Sequence, residues 1–152
     1  MTMSAFMAFV HHLAAFTLAA ALAVELVLVK PPIDFERARK LLLADQATGV
    51  SAGVVLVIGM LRVLYFEKGA SYYFHNAAFL AKLALFVLVA LLSIYPTLKF
   101  VSWRSSVKRG EAPNVDAATL SRMRTLIHFE LAGIVLLILC AALMARGIGM
   151  LA

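Results

Sequence analysis

Charge is scarce in this chain. Asp, Glu, Lys and Arg make up 14% of its 152 residues, where an ordinary globular domain carries roughly a quarter. Apolar residues fill the gap, at 64% with a mean hydropathy of +0.97, and this leaves no room for a soluble domain. The only cysteine, Cys140, excludes an internal disulfide and any C-x-x-C-H haem attachment. Motifs of soluble chemistry are missing too. There is no P-loop, no G-x-G-x-x-G, no H-E-x-x-H and no G-x-S-x-G, which argues against nucleotide-binding and hydrolase functions. The net charge of +6 would suggest nucleic acid in a soluble protein. Here the basic residues flank apolar runs, so membrane topology accounts for them and no nucleic-acid partner is expected.

What the sequence does hold is a set of long apolar runs, and a span needs about 20 such residues. Spans are expected at about 4–29, 41–66, 72–100 and 124–145, one transmembrane domain over residues 1–152. The fold class is all-α, a polytopic membrane four-helix bundle without internal repeats. Lys30-Pro31-Pro32 stops the first helix, and Asp34 is placed to cap the second. A tight turn at Glu67-Lys68-Gly69-Ala70-Ser71 leads into the third helix, which Pro96 is expected to kink. Trp103 to Asn114 forms the loop before the fourth, with Asp116 as its cap. Ala21-Leu22-Ala23 resembles a signal-peptidase site, but no Lys or Arg precedes the run and Glu25 follows it, so the segment is read as a retained span.

Lys and Arg set the orientation. Lys30, Arg37, Arg39, Lys40, Lys99, Arg104, Lys108, Arg109, Arg122 and Arg124 gather at one end, against Arg62, Lys68 and Arg146 at the other. The positive-inside rule makes the first end cytoplasmic and both termini extracytoplasmic. Tyr72, Tyr73 and Phe74 read as an aromatic girdle at the outer interface, with Trp103 a lesser one inside.

Lys82 stands in the middle of the apolar run from Phe79 to Leu92. An ionisable group at such a depth is costly, turns inward and is a functional-site hypothesis by default. His75, Phe79, Lys82 and Phe86 fall on one helical stripe. Depth follows from the rise of about 1.5 Å per residue. It brings His11 or His12, His75, Lys82 and Arg62 together in the outer half. The stripe that ends at Glu25 favours His11, with His12 one step round the wheel. His128, Glu25, Asp45 and Glu130 share the inner half, as groups of a proton pathway would. On the second helix Gly49, Ala52, Gly53 and Gly59 are small. They either let another helix approach or leave a slot for a flat ligand.

A flat, carboxylate-bearing ligand beside imidazoles and an arginine suggests haem, since bundle cores recur as cofactor sites. Neutral imidazole ligates iron, and Arg62 could hold a propionate. The candidate ligands are His11, His12 and His75. Lys82 is the candidate catalytic residue, as iron ligand, proton carrier or propionate partner. Copper is the rival cofactor. Met1, Met3, Met7, Met60, Met144 and Met150 lie toward the outer end and only Met123 inside, and thioether with imidazole suits copper(I).

The stretch His75-Asn76-Ala77-Ala78-Phe79-Leu80-Ala81-Lys82-Leu83-Ala84-Leu85-Phe86 resembles the third helix of the bacterial membrane-bound protoporphyrinogen oxidases, which carries a lysine before a leucine-rich run. Over most of its length the chain is more similar to an uncharacterised family of small bacterial four-helix membrane proteins, distantly related to those oxidases and to copper-resistance membrane proteins. The matching segments are Gly59-Met60-Leu61-Arg62-Val63, Lys68-Gly69, Ser93-Ile94-Tyr95-Pro96-Thr97 and Ala141-Ala142-Leu143-Met144-Ala145-Arg146-Gly147. The resemblance implies a haem b-binding bundle in which His11 or His12 and Lys82 are the functional pair. The chain departs from the oxidases in carrying Tyr95-Pro96 where they place a histidine.

The leading expectation is a multi-pass haem b protein of the bacterial cytoplasmic (inner) membrane, with an electron-transfer or oxidoreductase role. It would pass electrons between a porphyrin-like or small reductant and quinone. A copper-handling protein and a non-catalytic accessory subunit are the alternatives. The bilayer is the certain partner, and a homo-oligomer is compatible with the apolar surface.

Overall fold

The computed structural model describes residues 2–66 and 75–149. Within them the chain forms four long helices: α1 Met3–Leu28, α2 Phe35–Leu61, α3 Ala77–Lys108 and α4 Ala117–Ala145. A π-helical turn, Arg62–Phe66, extends α2. All four are long and apolar enough to cross a membrane. The architecture is the expected all-α four-helix membrane bundle.

Helix starts follow local chemistry. Asp34 accepts from the Arg37 amide at 2.7 Å, and Asp116 from the Thr119 amide at 2.8 Å, as the sequence led us to expect. Thr2 caps α1 through the Ala5 amide at 3.3 Å. The α3 cap differs from expectation. Asn76 accepts from the Phe79 amide at 3.1 Å, so the helix begins at Ala77 and His75 stands before it, off the Phe79–Lys82–Phe86 stripe. The expected turn at 67–71 and the girdle of Tyr72, Tyr73 and Phe74 lie outside the described residues, as do Met1 and Met150. The first connection is closed by Arg37, whose guanidinium donates to the carbonyls of Lys30 (3.1 Å) and Pro32 (2.5 Å). Pro96 is buried inside α3, which runs on past it to Lys108.

The helices pack as two antiparallel pairs, α1 along α2 and α3 along α4. The pairs meet where α2 touches α3 and α1 touches α4, while α1 and α3 face each other across the centre without touching. Leu22, Leu41, Phe100, Trp103, Met123 and Ile127 belong to one large cluster in the basic half. At the opposite end, among the described residues, a second cluster holds Val63 and Phe79, with Leu83 and Met144 against them. Trp103 belongs to that inner core and not to an interfacial girdle. It is 5% exposed, with its ring edge-on to Phe100 at 5.2 Å. The sequence alone could not separate an interfacial indole from one turned inward.

Outward faces are apolar, with Phe16, Val50, Leu98 and Val135 all exposed. That surface has no counterpart in a water-soluble bundle and fits a lipid surround.

Candidate functional site

A cavity of about 100 Å³ opens at the end of the bundle opposite the basic one, lined by His11, Gly59, Met60, Arg62, Lys82 and Met144 among others. Three residues expected to converge there (His11, Arg62 and Lys82) therefore do line one space, contributed by α1, the π-helical turn and α3. His11 lies nearly on top of α2. A methyl built on Gly59 would come within 3.1 Å of its Cε1. The slot offered by Gly59 is thus taken by the protein's own imidazole, which a Cβ there would push back by a few tenths of an ångström. His11 interacts with the Val55 backbone, while its Nδ1 is buried with no hydrogen-bond partner among the described residues.

Lys82 makes no hydrogen bond or ion pair among the described residues. Its neighbours by charge are Arg62 and Cys140. Two cations thus share one small apolar space, and His11 lies within electrostatic range of both. The π-helical turn at Arg62 belongs to the kind of irregularity often found at functional sites.

His12 points elsewhere. It is exposed, and its Nδ1 lies 2.6 Å from the Ala8 carbonyl oxygen. Its ring meets His11 edge-on at 6.0 Å. His75 is exposed at the turn before α3 and does not line the cavity. Gly49 and Gly53 face open space, since a methyl at either would meet nothing within 4 Å. No helix of this chain uses them for close approach. Met60 and Met144 reach the cavity, whereas Met3 is 60% exposed. Among the described residues no group of three or more His, Cys, Asp or Glu side chains is placed to hold a metal ion.

His128 is exposed and its Nδ1 lies 3.3 Å from the Arg124 carbonyl oxygen. It stands apart from Glu25, Asp45 and Glu130, which are buried. Sequence reasoning named those carboxylates and missed their hydroxyl partners Thr48, Ser93 and Thr97. Helical spacing from a known carboxylate gives no register between different helices, so only the packed bundle shows the pairs.

A family model described as "Predicted membrane protein (DUF2214)" matches residues 3–149, almost the whole chain. No curated protein and no solved structure matches it.

Proposed function

The chain belongs to that family of membrane proteins, and from this premise we propose that it is a haem b-binding redox protein of the bacterial cytoplasmic membrane. One observation carries the reading: an unpartnered, buried imidazole nitrogen of His11 in a cavity shared with Lys82 and Arg62. His11 would supply the iron ligand, and Lys82 and Arg62 the counter-charges for propionates. The resemblance of the third helix to the porphyrinogen oxidases points the same way.

The donor set fits a haem in kind. The volume is a separate matter. A cavity of about 100 Å³ is well below the roughly 300–1,000 Å³ usual for ligand pockets. Binding therefore requires the outer ends of the helix pairs to part.

When bound, haem would supply one-electron chemistry for exchange with quinone or a porphyrin-like donor. The protein's own part is narrower. Gly59 lets His11 lie against α2, the apolar wall of Leu56, Phe79 and Phe86 keeps water out, and Lys82 offers an ammonium or amine at the cavity wall. The positive-inside rule would place this site in the extracytoplasmic half, since both termini lie opposite the basic end.

A second reading has its own support. Met60, Met144 and His11 line the same cavity, and this soft donor set is the kind that selects copper(I). Lys82 and Arg62 beside it oppose a bare cation and favour an anion. Absorbance of the purified full-length protein, with haem supplied, separates the two readings. A Soret band is expected. Its absence, with tight copper binding in metal analysis, would replace haem by copper.

A further inference from the structure

The basic half of the bundle holds three buried carboxyl side chains from three helices: Glu25 on α1, Asp45 on α2 and Glu130 on α4. Each is tied to a hydroxyl on another helix. The Thr48 Oγ1 hydroxyl donates to Glu25 at 2.5 Å, Thr97 Oγ1 to Asp45 at 2.6 Å and Ser93 Oγ to Glu130 Oε2 at 2.8 Å. None of the three has a salt-bridge partner among the described residues. Local pairing accounts for one oxygen of each and stops there.

Glu130 carries a second, independent observation. It is 1% exposed, and its other oxygen, Oε1, has no hydrogen-bond partner among the described residues. The side chain lines a separate cavity of about 240 Å³, whose wall also holds Thr48, Ser93 and Thr97. Most of that wall is apolar, and Glu130, Thr48, Ser93 and Thr97 are its polar groups; the volume admits several waters, at about 30 Å³ each in the liquid, held by those four side chains. A buried acceptor without a partner is costly, and a water at Oε1 removes that cost for the carboxylate and for the carboxylic acid alike.

The charges facing the cluster are few. Asp45 and Glu25 face Glu130 from α2 and α1, close enough to act on it directly or through each other. Arg104 on α3 acts on Asp45 from the basic end. Lys99 and Arg122 stand over the Tyr95 ring, at 5.5 and 5.6 Å from its centre. His128, on α4 itself, is exposed.

Ionisable groups inside a span mark proton relays and ion paths. We propose that Glu130, with Glu25 and Asp45 beside it, forms a hydrated proton-carrying site in the basic half of the bundle. A hydronium in the cavity gives its proton to the carboxylate and leaves water and a carboxylic acid; the reverse step restores the carboxylate. The site stands whatever fills the outer cavity, for Phe86 lines both spaces and lies between them.

Infrared difference spectra of the full chain, reconstituted in phosphatidylcholine–phosphatidylglycerol vesicles and taken through a pH titration in H₂O and D₂O, test this. Among the carboxylic-acid carbonyl bands that grow on acidification and shift in D₂O, one belonging to Glu130 is expected, and that band should vanish in Glu130→Gln while those of the other carboxyl groups remain. Ser93→Ala keeps the carboxyl and removes one donor, so the same band should move without vanishing. This variant holds the test open if Glu130→Gln does not fold. No titrating band in the native protein overturns the proposal. So does a set of bands that Ser93→Ala leaves unchanged, or one from which Glu130→Gln removes nothing.

Discussion

Alanine at Gly133 puts the packing of the two helix pairs to a quantitative test. Gly133 is buried on α4, and a methyl built there would run into Cγ2 of Val89 on α3. Valine is branched at Cβ and holds one rotamer in a helix, so Val89 has no easy way aside and the helices must separate. Overpacking of this kind costs about 1–3 kcal/mol. Replacing Gly by Ala inside a helix returns about 1 kcal/mol. The net expectation for Gly133→Ala is a loss of up to about 2 kcal/mol. Gly49→Ala is the matched control, because a methyl there meets nothing within 4 Å. It should leave stability unchanged or raise it by up to about 1 kcal/mol. Reversible unfolding of the purified protein in mixed detergent–SDS micelles measures both. Adding Val89→Ala to Gly133→Ala should recover part of the loss by removing the methyl that is struck. Gly133→Ala stabilised by the full 1 kcal/mol or so that an unhindered Gly→Ala change brings, or a double variant no better than the single one, would refute the contact between α3 and α4.

Four further outcomes are expected. Gly59→Ala should change stability little but push the His11 ring back from α2, weakening any ligand held there, as read by the same titration that measures native binding. Thr48→Val leaves Glu25 without its donor and should cost about 1 kcal/mol, within the range found for hydrogen bonds between membrane helices, in the micelle assay. Asp116 is held below the usual carboxylate range by the hydroxyl and amide of Thr119. Its contribution is therefore present above its ordinary pKa and lost as pH falls through the lower folded value. Asp116→Ala should accordingly unfold more readily than the native protein at neutral pH and no more readily in strong acid. Engineered cysteines at positions 2 and 149 should react with a membrane-impermeant reagent applied outside the cell, and protection of both would reverse the orientation.

Much of the fold can be read directly from the sequence, because lipid demands long apolar helices and these leave few alternatives. Asp34 and Asp116 are legible as caps for a local reason: each sits just before a helical run and serves an amide three residues on. Asn76 is not, since it lies in an apolar stretch that continues from Tyr72. Its setting is also long-range. Its side-chain amide reaches the Ile148 carbonyl at 3.5 Å, and the next amide, of Ala77, donates to the Gly149 carbonyl at 2.7 Å. Depth counting brought His11, Arg62 and Lys82 to one level because His11 and Lys82 ride on regular helix and Arg62 directly follows the last residue of α2, all near the same end. It could not exclude His75, whose place depends on where α3 starts. Nor could it show that the gap at Gly59 is occupied by His11.

The central claim is that His11, and not the adjacent His12, presents its imidazole to a cofactor in the outer cavity. The decisive measurement is the absorption spectrum of the purified, haem-supplied protein beside its His11→Ala and His12→Ala variants. The account predicts a Soret band that is lost or displaced in His11→Ala and unchanged in His12→Ala. A band that His11→Ala leaves intact, or that only His12→Ala alters, would contradict it.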